Sequence, residues 1–318
     1  MSTIPLIFNQ HQIDMVSLGG KEAVPGCRVN AAAILINKSW SQNRSRMIEN
    51  LARCGFREIV SIETDPENYN MDDFSKRYAF VKFIIPLEQT SDGELINMAV
   101  GEIKSEYFLV LRDSLDFQND VISSTLCQNL IEMNRYCIAP RLLERGGIAF
   151  PVLFSPSIHK GSLKLQSTAT VSDGLPDLIP FDYIGLYNRK KFIDLGGFDY
   201  TIVKPYWQNL DLAFRAWLWG EEIVFSTAFS LCYNEAFPSM DSTAGLSSNR
   251  FYLKNLVPRY NEDHGFIPRL SFFVFLKSSS CGFFEAKAQF KEAQEWVENN
   301  KYCFRRDAVN LVENWSNR

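Results

Sequence analysis

Apolar and amphipathic stretches alternate along residues 31–135. The stretch Ala31 to Ile36 is apolar throughout, which is typical of a parallel strand covered on both faces. A helical pattern follows from about Ser41 to Arg53, and a second apolar stretch spans Glu58 to Ile62. Such β-α-β units are right-handed and build parallel sheets, so we expect an open α/β sheet flanked by helices. The alternation continues with predicted strands at 80–85 and 107–111 and predicted helices at 92–103 and 120–134.

The second half of the chain mixes strand, turn and helix signals. Aromatic and β-branched residues from Phe181 to Tyr187 predict a strand. A short helix begins at Arg189 and ends at Gly196-Gly197, a pair that can adopt positive φ. A loop is expected over 205–209, followed by an amphipathic helix over 210–218.

The remaining segments suggest a domain organisation. Residues 155–178 are rich in Ser, Thr, Gly and Pro, which predicts a long mobile connection that could act as a lid. From Arg250 onwards the pattern is mainly helical. We therefore expect an irregular lead-in over 1–30, a core domain over 31–235, and a helical C-terminal extension packed on it over 236–318.

Composition and charge narrow the class of protein. The chain has 318 residues, 46% of them hydrophobic, and its net charge of −4 argues against a general nucleic-acid binder. Seven widely spaced cysteines without a C-x-x-C pair predict reduced thiols in a cytoplasmic protein. The sequence has no signal-peptide pattern, and no run reaches the roughly 20 apolar residues of a membrane span. The apolar run Leu270 to Leu276 is expected to be a buried strand or helix rather than a membrane contact.

Polar residues follow the predicted strands directly. In open α/β sheets, ligands bind at the carboxyl ends of the strands, so these residues are expected to share one rim of the sheet. No glycine follows the first strand in ILINKSWSQNR, which disfavours a dinucleotide-binding or P-loop protein. The residues just past a predicted strand are Asn37, Glu63, Asp65, Asp113 and Asp116.

A set of motifs over residues 31–235 points to one family. Asn43-Arg44 opens the first helix, and Leu195-Gly196-Gly197-Phe198-Asp199 follows Arg189 and Phe192. Nine residues after the end of the LGGFD segment comes a helix that reads Gln208-Asn209-Leu210-Asp211-Leu212, with Arg215 three residues further on. Together with an acid ending the second strand and a Gly93…Asn97 pair, this order resembles the GT-A fold glycosyltransferases of the inverting family-two type.

The resemblance implies a chemistry. A sugar would be transferred from a nucleotide-diphosphate sugar to a glycan, lipid or protein acceptor, and peripheral association with a membrane stays open. The leaving diphosphate carries growing negative charge, which a Mn²⁺ or Mg²⁺ ion held by carboxylates would neutralise. A carboxylate base would take the proton of the acceptor hydroxyl.

The resemblance and the strand ends together assign residues to each part of this reaction. Nucleotide-sugar binding is assigned to Asn37, Arg44, Glu63, Asp65, Asn97, Arg112 and Asp113. Acceptor binding is assigned to Gly197, Trp207 and Gln208. Metal binding is assigned to Asp113, Asp116 and His264. The candidates for catalysis are Asp211, Asn209 and Asp199.

Two motifs depart from the family pattern. An ungapped alignment on Asp-x-Asp leaves Asp113 between Arg112 and Ser114, and a shift of one residue pairs Asp113 with Asp116 instead. Arg112 is then either a fixed cation facing the diphosphate or an outward surface residue. The acid expected as base is replaced by the amides of Gln208-Asn209, and an amide cannot act as a base near pH 7.

Other interpretations stay open from the sequence. Asp211 and Arg215 are four residues apart and suit a helical ion pair, Asp113 and Asp116 suit turn positions, and His264 suits the surface. The lost acids favour a non-catalytic relative that binds nucleotide-sugars or joins a glycan-assembly complex. A GT-A-like nucleotidyltransferase is a third hypothesis. Such an enzyme usually has a Gly-rich loop and a lysine after the first strand, and here only Lys38 is present.

Overall fold

A computed structural model describes residue 11 and residues 13–38, 44–64, 70–116, 121–159, 162–169, 172–233 and 240–317. Its centre is an eight-stranded sheet in the order β1-β4-β3-β2-β5-β9-β6-β10. The strands of this sheet are β1 (Met15–Gly19), β2 (Val29–Asn37), β3 (Phe56–Glu63), β4 (Val81–Pro86), β5 (Tyr107–Arg112), β6 (Cys137–Leu143), β9 (Gly185–Asn188) and β10 (Ile223–Cys232).

The sheet is mostly parallel. Strands β4, β3, β2 and β5 run parallel, as do β6 and β10. Strand β9 lies antiparallel between β5 and β6, and β1 lies antiparallel at the edge beside β4. The α/β class predicted from residues 31–135 is confirmed, because β2 and β5 are buried along almost their whole length, as strands covered on both faces must be.

Helices flank this sheet. Helix α3 begins with a capping box in which Ser91 and Glu94 satisfy each other's backbone N–H groups. The turn after α5 needs its glycines, since Gly196 and Gly197 both have positive φ. The helices are α1 (Arg44–Cys54), α2 (Met71–Arg77), α3 (Asp92–Glu102), α4 (Ser124–Glu132), α5 (Arg189–Asp194), α6 (Pro205–Leu218), α7 (Leu246–Phe251), α8 (Ser271–Ser278), α9 (Phe283–Asn300) and α10 (Ala308–Glu313), with a π-helical turn over Tyr252–Leu256.

Two predictions about connections are wrong. The expected mobile connection over 155–178 contains an antiparallel hairpin of β7 (Leu153–His159) and β8 (Ser162–Thr168). Along β8, Leu163 and Leu165 pack against the core while the polar residues between them face solvent, a period of two that the Ser/Thr-rich composition disguised. The expected irregular lead-in likewise includes β1.

Two predictions around residues 181–218 also need correction. The stretch expected to be one strand from Phe181 is a 3-10 turn (Phe181–Tyr183) followed by the short strand β9. The expected loop over 205–209 is the first turn of α6. Pro205 occupies the first helical positions, where its missing N–H costs nothing, so it starts the helix rather than delaying it.

The C-terminal helices pack in two ways. Val297, Phe304, Leu311 and Trp315 belong to the main core under the sheet. A second, smaller core holds α8 and the start of α9 against the π-helical turn, and its buried members are Leu253, Val257, Phe275, Ala286, Phe290 and Ala293. The apolar run 270–276 is therefore mostly helix α8, but the expectation that it is buried is wrong, because only Phe275 of that run is fully enclosed.

Two further observations concern compartment and boundaries. Across the described ranges, no helix is both long and apolar enough to cross a membrane. None of the seven cysteines, all of which lie in the described ranges, forms a disulfide bond. The predicted boundary near residue 235 falls in 234–239, which lies outside the described residues.

Candidate functional site

The carboxyl ends of β2 and β3 meet in a buried polar network. Asn37 donates from Nδ2 to Ser61 Oγ at 2.7 Å and to Glu63 Oε1 at 3.1 Å, and Ser61 donates to the same Glu63 oxygen at 2.7 Å. Arg44, at the start of α1, forms an ion pair with Glu63 at 2.8 Å. The network ties the first helix to the rim of the sheet.

Glu63 is fully enclosed by this network. Burial raises the pKa of its carboxyl above the usual value, and Arg44, Ser61 and Asn37 only partly offset that effect. A carboxylate in this position shapes the rim through Asn37 and Arg44. The other acid expected here, Asp65, lies outside the described residues.

Four charged residues form an edge cluster beside the end of β5: Lys38, Asp92, Arg112 and Asp182. Arg112 Nη2 lies 2.8 Å from Asp92 Oδ2 and 2.8 Å from Asp182 Oδ1, and Lys38 Nζ pairs with the other oxygen of Asp92. The Arg112 guanidinium also lies 5.5 Å from the centre of the Tyr183 ring. Arg112 is therefore an inward cation held by two acids, and not the outward surface residue that was one alternative.

The two acids of the edge cluster respond oppositely to their surroundings. Burial favours the neutral form of Asp92, but Arg112 and Lys38 together outweigh it and lower its pKa. At Asp182 burial outweighs Arg112, so the pKa of that carboxyl is raised. The Tyr233 hydroxyl donates to Asp182 at 3.2 Å and helps to fix its position.

The backbone at Asp182 is strained. Asp182 has φ 51° and Tyr183 has φ 64°, two successive residues with side chains in the left-handed region. Such conformations cost about 1–3 kcal/mol each and cluster at ligand sites, where the surrounding structure imposes them. Here the Tyr183 hydroxyl donates to the carbonyl of Pro205 at 2.9 Å, which anchors the turn to the start of α6.

Asp113 and Asp116 follow the end of β5. Asp113 Oδ2 accepts the backbone N–H of Lys38 at 3.0 Å, so it joins the rim beside the edge cluster. The backbone N–H of Asp116 donates to Cys232 at 2.7 Å, next to β10. Asp113 thus takes the turn position that was its alternative interpretation, whereas Asp116 follows the bridge between Leu115 and Tyr233.

The described residues do not fit the predicted metal site. His264 lies on β12 (His264–Phe266), which pairs with β11 (Arg259–Asn261), and its ring nitrogen contacts Asp263 at 3.1 Å. Over the ranges that the structure describes, no group of three or more His, Cys, Asp and Glu side chains is placed to hold a metal ion.

The LGGFD turn is locked to α3 by amide side chains. Asn97 donates to the carbonyl of Phe198 at 2.7 Å and accepts its N–H at 2.9 Å. Gln208 accepts from the N–H of Gly93 at 2.9 Å and donates to Ser91 Oγ at 2.8 Å. Gly93 must be glycine because a Cβ there would collide with Gln208 and Phe198. Asn97 and Gln208 thus hold backbone in place, whatever further role they have.

An inner cluster of four charged residues joins α6 to the C-terminal extension. Its members are Asp199, Asp211, Arg215 and Lys254. Arg215 lies 2.6 Å from Asp211 Oδ2, which is the predicted helical ion pair, and Lys254 lies 2.6 Å from Asp199 Oδ2. Asn255 donates to Asp211 Oδ1 at 2.7 Å, so both oxygens of Asp211 are bound. Burial raises the pKa of Asp199, but Lys254 and Thr201 outweigh it and the net pKa is lowered.

The residues predicted for catalysis lie within this scaffold. Asp211 has no exposed surface, and Asn209 donates its amide to the carbonyl of Pro180 at 2.7 Å. Asp199 accepts from the N–H and hydroxyl of Thr201 as well as from Lys254. A carboxylate bound in this way is poorly placed to take a proton from an acceptor, because its lone pairs are already in use.

A cavity of about 280 Å³ lies beside the LGGFD turn. It lies between the segment after LGGFD and helix α9, and its lining includes Asp199, Tyr200, Arg250, Lys254, Glu292 and Trp296. Trp207, predicted to bind acceptor, is half-buried on α6 and donates its indole N–H to the carbonyl of Thr243 at 3.1 Å. Gly197 forms the turn itself, where its N–H donates to Phe192.

Sequence patterns missed several residues of the edge and inner clusters. Asp92 begins the predicted helix over 92–103, and Asp182 falls in the predicted strand from Phe181. Lys254 and Asn255 fall in a stretch that is predicted only to be helical. The one usable signal was Lys38, a cation directly after the first strand. The other contacts join segments far apart in the chain, such as Arg112 and Asp182, so no local spacing marks them.

Comparison with known proteins rests on structure. No protein-family model and no curated protein matches this chain. GalNAc-T7, solved with UDP, GalNAc and Mn²⁺, superposes with a TM-score of 0.53 at 11% identity, covering 90% of this chain and 57% of that one. The chain thus spans little more than half the length of GalNAc-T7.

Two further solved structures are similar at lower scores. They are S. aureus TarS 1–349 (TM-score 0.45, 10% identity, 83% of this chain and 71% of that one) and the mannosyltransferase PcManGT from Pyrobaculum calidifontis with GDP-Man and Mn²⁺ (0.42, 11%, 96% and 79%). The likeness to GalNAc-T7 shows the GT-A fold, which confirms the fold that the motifs predict.

Proposed function

We propose that this chain is an inverting glycosyltransferase that moves a sugar from a nucleotide-diphosphate sugar to a glycan, lipid or protein acceptor. The observation that carries the proposal is the rim where β2, β3 and β5 end in a GT-A fold. Asn37, Asp113 and the edge cluster meet there, at the carboxyl ends of parallel strands where open α/β sheets bind ligands. The strained turn at Asp182 adjoins the same rim, which supports a ligand site there.

Lys38 is the cation best placed for the donor diphosphate. Its side chain is 49% exposed, whereas Arg112 is enclosed between two acids. Since Arg112 also neutralises Asp92, Lys38 can turn from Asp92 to a phosphate oxygen without leaving that carboxylate unpaired. Asp113 accepts the Lys38 N–H and orients the same short loop. A charge-assisted contact of this kind suits an anionic donor.

Asp182 is the carboxylate best suited to take the acceptor proton. Its side chain is 23% exposed, and its raised pKa moves it towards the working pH of a general base. Asp199 and Asp211 instead serve the inner cluster. The acceptor would approach from the side of the LGGFD turn, where the cavity next to Asp199 offers polar and aromatic groups.

A divalent ion would supply one thing: neutralisation of the leaving diphosphate. GalNAc-T7 was crystallised with Mn²⁺, but the described carboxylates here do not form such a site. Asp113 is the side chain at the rim that would contact an ion held mainly by the diphosphate itself. The predicted use of Mn²⁺ or Mg²⁺ is therefore tested separately, by measuring donor binding with and without the ion. The seven cysteines, none of which is in a disulfide, support a cytoplasmic location.

Donor binding is the first test. Thermal shift with a panel of UDP-, GDP-, CDP- and dTDP-sugars, with and without Mn²⁺, should give a stabilised complex with one nucleotide. Lys38→Ala and Asp113→Asn should lose that shift, while Asp194→Asn, a surface change on α5, should keep it. Absence of a shift with every nucleotide, with and without the ion, would sink the proposal.

A non-catalytic role is the second candidate. It is favoured by one observation: Gln208, Asn209, Asp199 and Asp211 all serve to hold the backbone or the inner cluster. Donor hydrolysis and transfer assays separate the two. Turnover that is lost in Asp182→Asn, with donor binding retained, supports the enzyme, whereas binding without turnover across donors and acceptors supports the sensor or complex subunit.

A further inference from the structure

Helix α8 carries apolar side chains on two faces. Phe275 points into the small core, with Phe272 and Leu276 partly buried beside it. The stripe at spacings of three and four, Leu270, Phe273 and Val274, faces outwards instead, with exposures of 77%, 65% and 59%. An amphipathic helix on a globular protein normally leaves polar residues on that side.

The exposed face continues onto the start of α9. Phe283 and Phe284 are 52% and 86% exposed. Ring contacts link them to α8. The centre of the Phe272 ring lies 5.6 Å from that of Phe273 and 5.8 Å from that of Phe283. The ring centres of Phe283 and Phe284 are 5.7 Å apart. We call the five outward residues together the apolar tip: Leu270, Phe273, Val274, Phe283 and Phe284. Contiguous exposed apolar patches on soluble proteins mark interaction sites.

The part of the apolar tip on α8 is flanked by basic residues. From Pro268 to Phe284 the sequence contains Arg269 and Lys277 and no acidic residue, although the whole chain has a net charge of −4. Both basic residues are exposed, whereas α9 carries both signs, with exposed Glu285, Glu292 and Glu295 beside Lys287 and Lys291. Exposed phenylalanines flanked by basic side chains match the surface of an anionic bilayer, where rings enter the acyl boundary and cations meet headgroups.

We propose that the apolar tip docks this protein on an anionic phospholipid surface as a peripheral membrane contact. The small core under α8 holds the tip rigid, so its phenylalanines need not fold on contact. The proposal stands apart from sugar transfer, because docking needs neither donor nor acceptor.

Vesicle co-sedimentation of the full chain tests this. The protein should pellet with phosphatidylglycerol-containing vesicles and less with pure phosphatidylcholine. The double variant Phe273→Ser with Phe284→Ser should lower the partition coefficient by roughly a hundredfold, about tenfold for each buried ring lost. The matched control, Leu87→Ser with Ile148→Ser, removes two equally exposed apolar residues elsewhere and should pellet as the parent does.

A second pair of variants tests the charge. Arg269→Gln with Lys277→Gln should weaken binding to anionic vesicles only, while Lys76→Gln with Lys190→Gln should not. Equal sedimentation of the phenylalanine variant and the parent would overturn the proposal, as would no sedimentation at all. So would a concentration-dependent dimer in lipid-free ultracentrifugation that the phenylalanine variant abolishes, because a second copy would then be the occupant.

Discussion

The edge cluster and the inner cluster contain the same charges in different settings. Each has two acids and two bases and is neutral as a group. The inner cluster is enclosed, with Asp211 and Arg215 fully buried and every oxygen of Asp211 bound. The edge cluster opens to solvent through Lys38 and Asp182.

The difference shows how access to solvent separates a structural charge network from a ligand site. Charges in the inner cluster satisfy one another, and a buried pair of this kind fixes which packing is allowed rather than adding much net stability. In the edge cluster, Arg112 pairs with both acids, so Lys38 can turn to an incoming anion while Asp92 keeps a partner. The helix around Asp211, which resembles a catalytic segment, thus belongs to the scaffold. The edge cluster at the rim comes from earlier segments of the chain.

Breaking the inner cluster should have the largest effect. Arg215→Ala leaves Asp211 buried without its partner, so the free energy of unfolding should fall by about 3–5 kcal/mol in urea titrations. Lys190→Ala, which removes the exposed pair with Asp194 on α5, is the control and should leave the transition midpoint unchanged. An equal response of the two variants would mean that the inner cluster does not hold the fold.

Removing Arg112 from the edge cluster should cost less stability. Arg112→Ala should lower the free energy of unfolding by about 2 kcal/mol, because Lys38 still neutralises Asp92 and Asp182 reaches solvent. Circular-dichroism melts in urea measure the loss. A loss larger than that of Arg215→Ala would reverse the ranking of the two clusters.

Lys38 should affect ligand affinity more than stability. Lys38→Ala should raise the dissociation constant of the preferred nucleotide-sugar about tenfold, the equivalent of one charge-assisted hydrogen bond. Its stability change should stay below about 1 kcal/mol, since a half-exposed ion pair contributes little. Calorimetric titration measures the affinity, and Lys38→Arg should restore most of it. Unchanged affinity in Lys38→Ala would remove the residue from the donor site.

The smallest effects should be those of pH, and they should have opposite signs. The pKa of Asp199 is lowered, so its stabilisation is complete above the unfolded value near 3.9 and is lost as pH falls below it. The pKa of Asp182 is raised, so its ionisation costs stability as pH rises from that value through the folded one.

Urea unfolding of two asparagine variants between about pH 3 and pH 7 measures these signs. The deficit of Asp199→Asn relative to the parent should be widest at neutral pH and should close in acid. The free energy of unfolding of Asp182→Asn should increase relative to that of the parent as the pH rises from about 4 to 7. Parallel curves for the two variants would contradict the assignment of Asp182 as the poised carboxylate.

The sequence predicted the core of the fold better than its connections. Strands β2 and β5 were readable because burial on both faces makes them almost continuously apolar. The β7–β8 hairpin was missed because its inward leucines alternate with serine, lysine and glutamine, and the Ser/Thr-rich composition hid the period. The exposure of α8 was missed because an apolar run does not reveal which face finds a partner.

The site was predictable only where it follows strand ends. Asn37, Glu63 and Asp113 could be placed on one rim because parallel strands end at the same edge. Asp182 could not, since its position depends on a left-handed turn and on Arg112, 70 residues earlier in the chain. The roles of Gln208 and Asn209 likewise depend on distant backbone groups that no spacing announces.

Strand β9 sets the order in which the chain can be completed during synthesis. Strand β9 covers residues 185–188 and lies between β5 and β6, both of which end before residue 144. Until that later segment leaves the ribosome, both earlier strands have an open edge with unpaired N–H and C=O groups. A nascent chain halted at about residue 180 would thus carry a sheet that ends at an open β5 edge, with β6 lacking both β9 and β10. Open edges of this kind are the ones that chaperones cover and that seed aggregation.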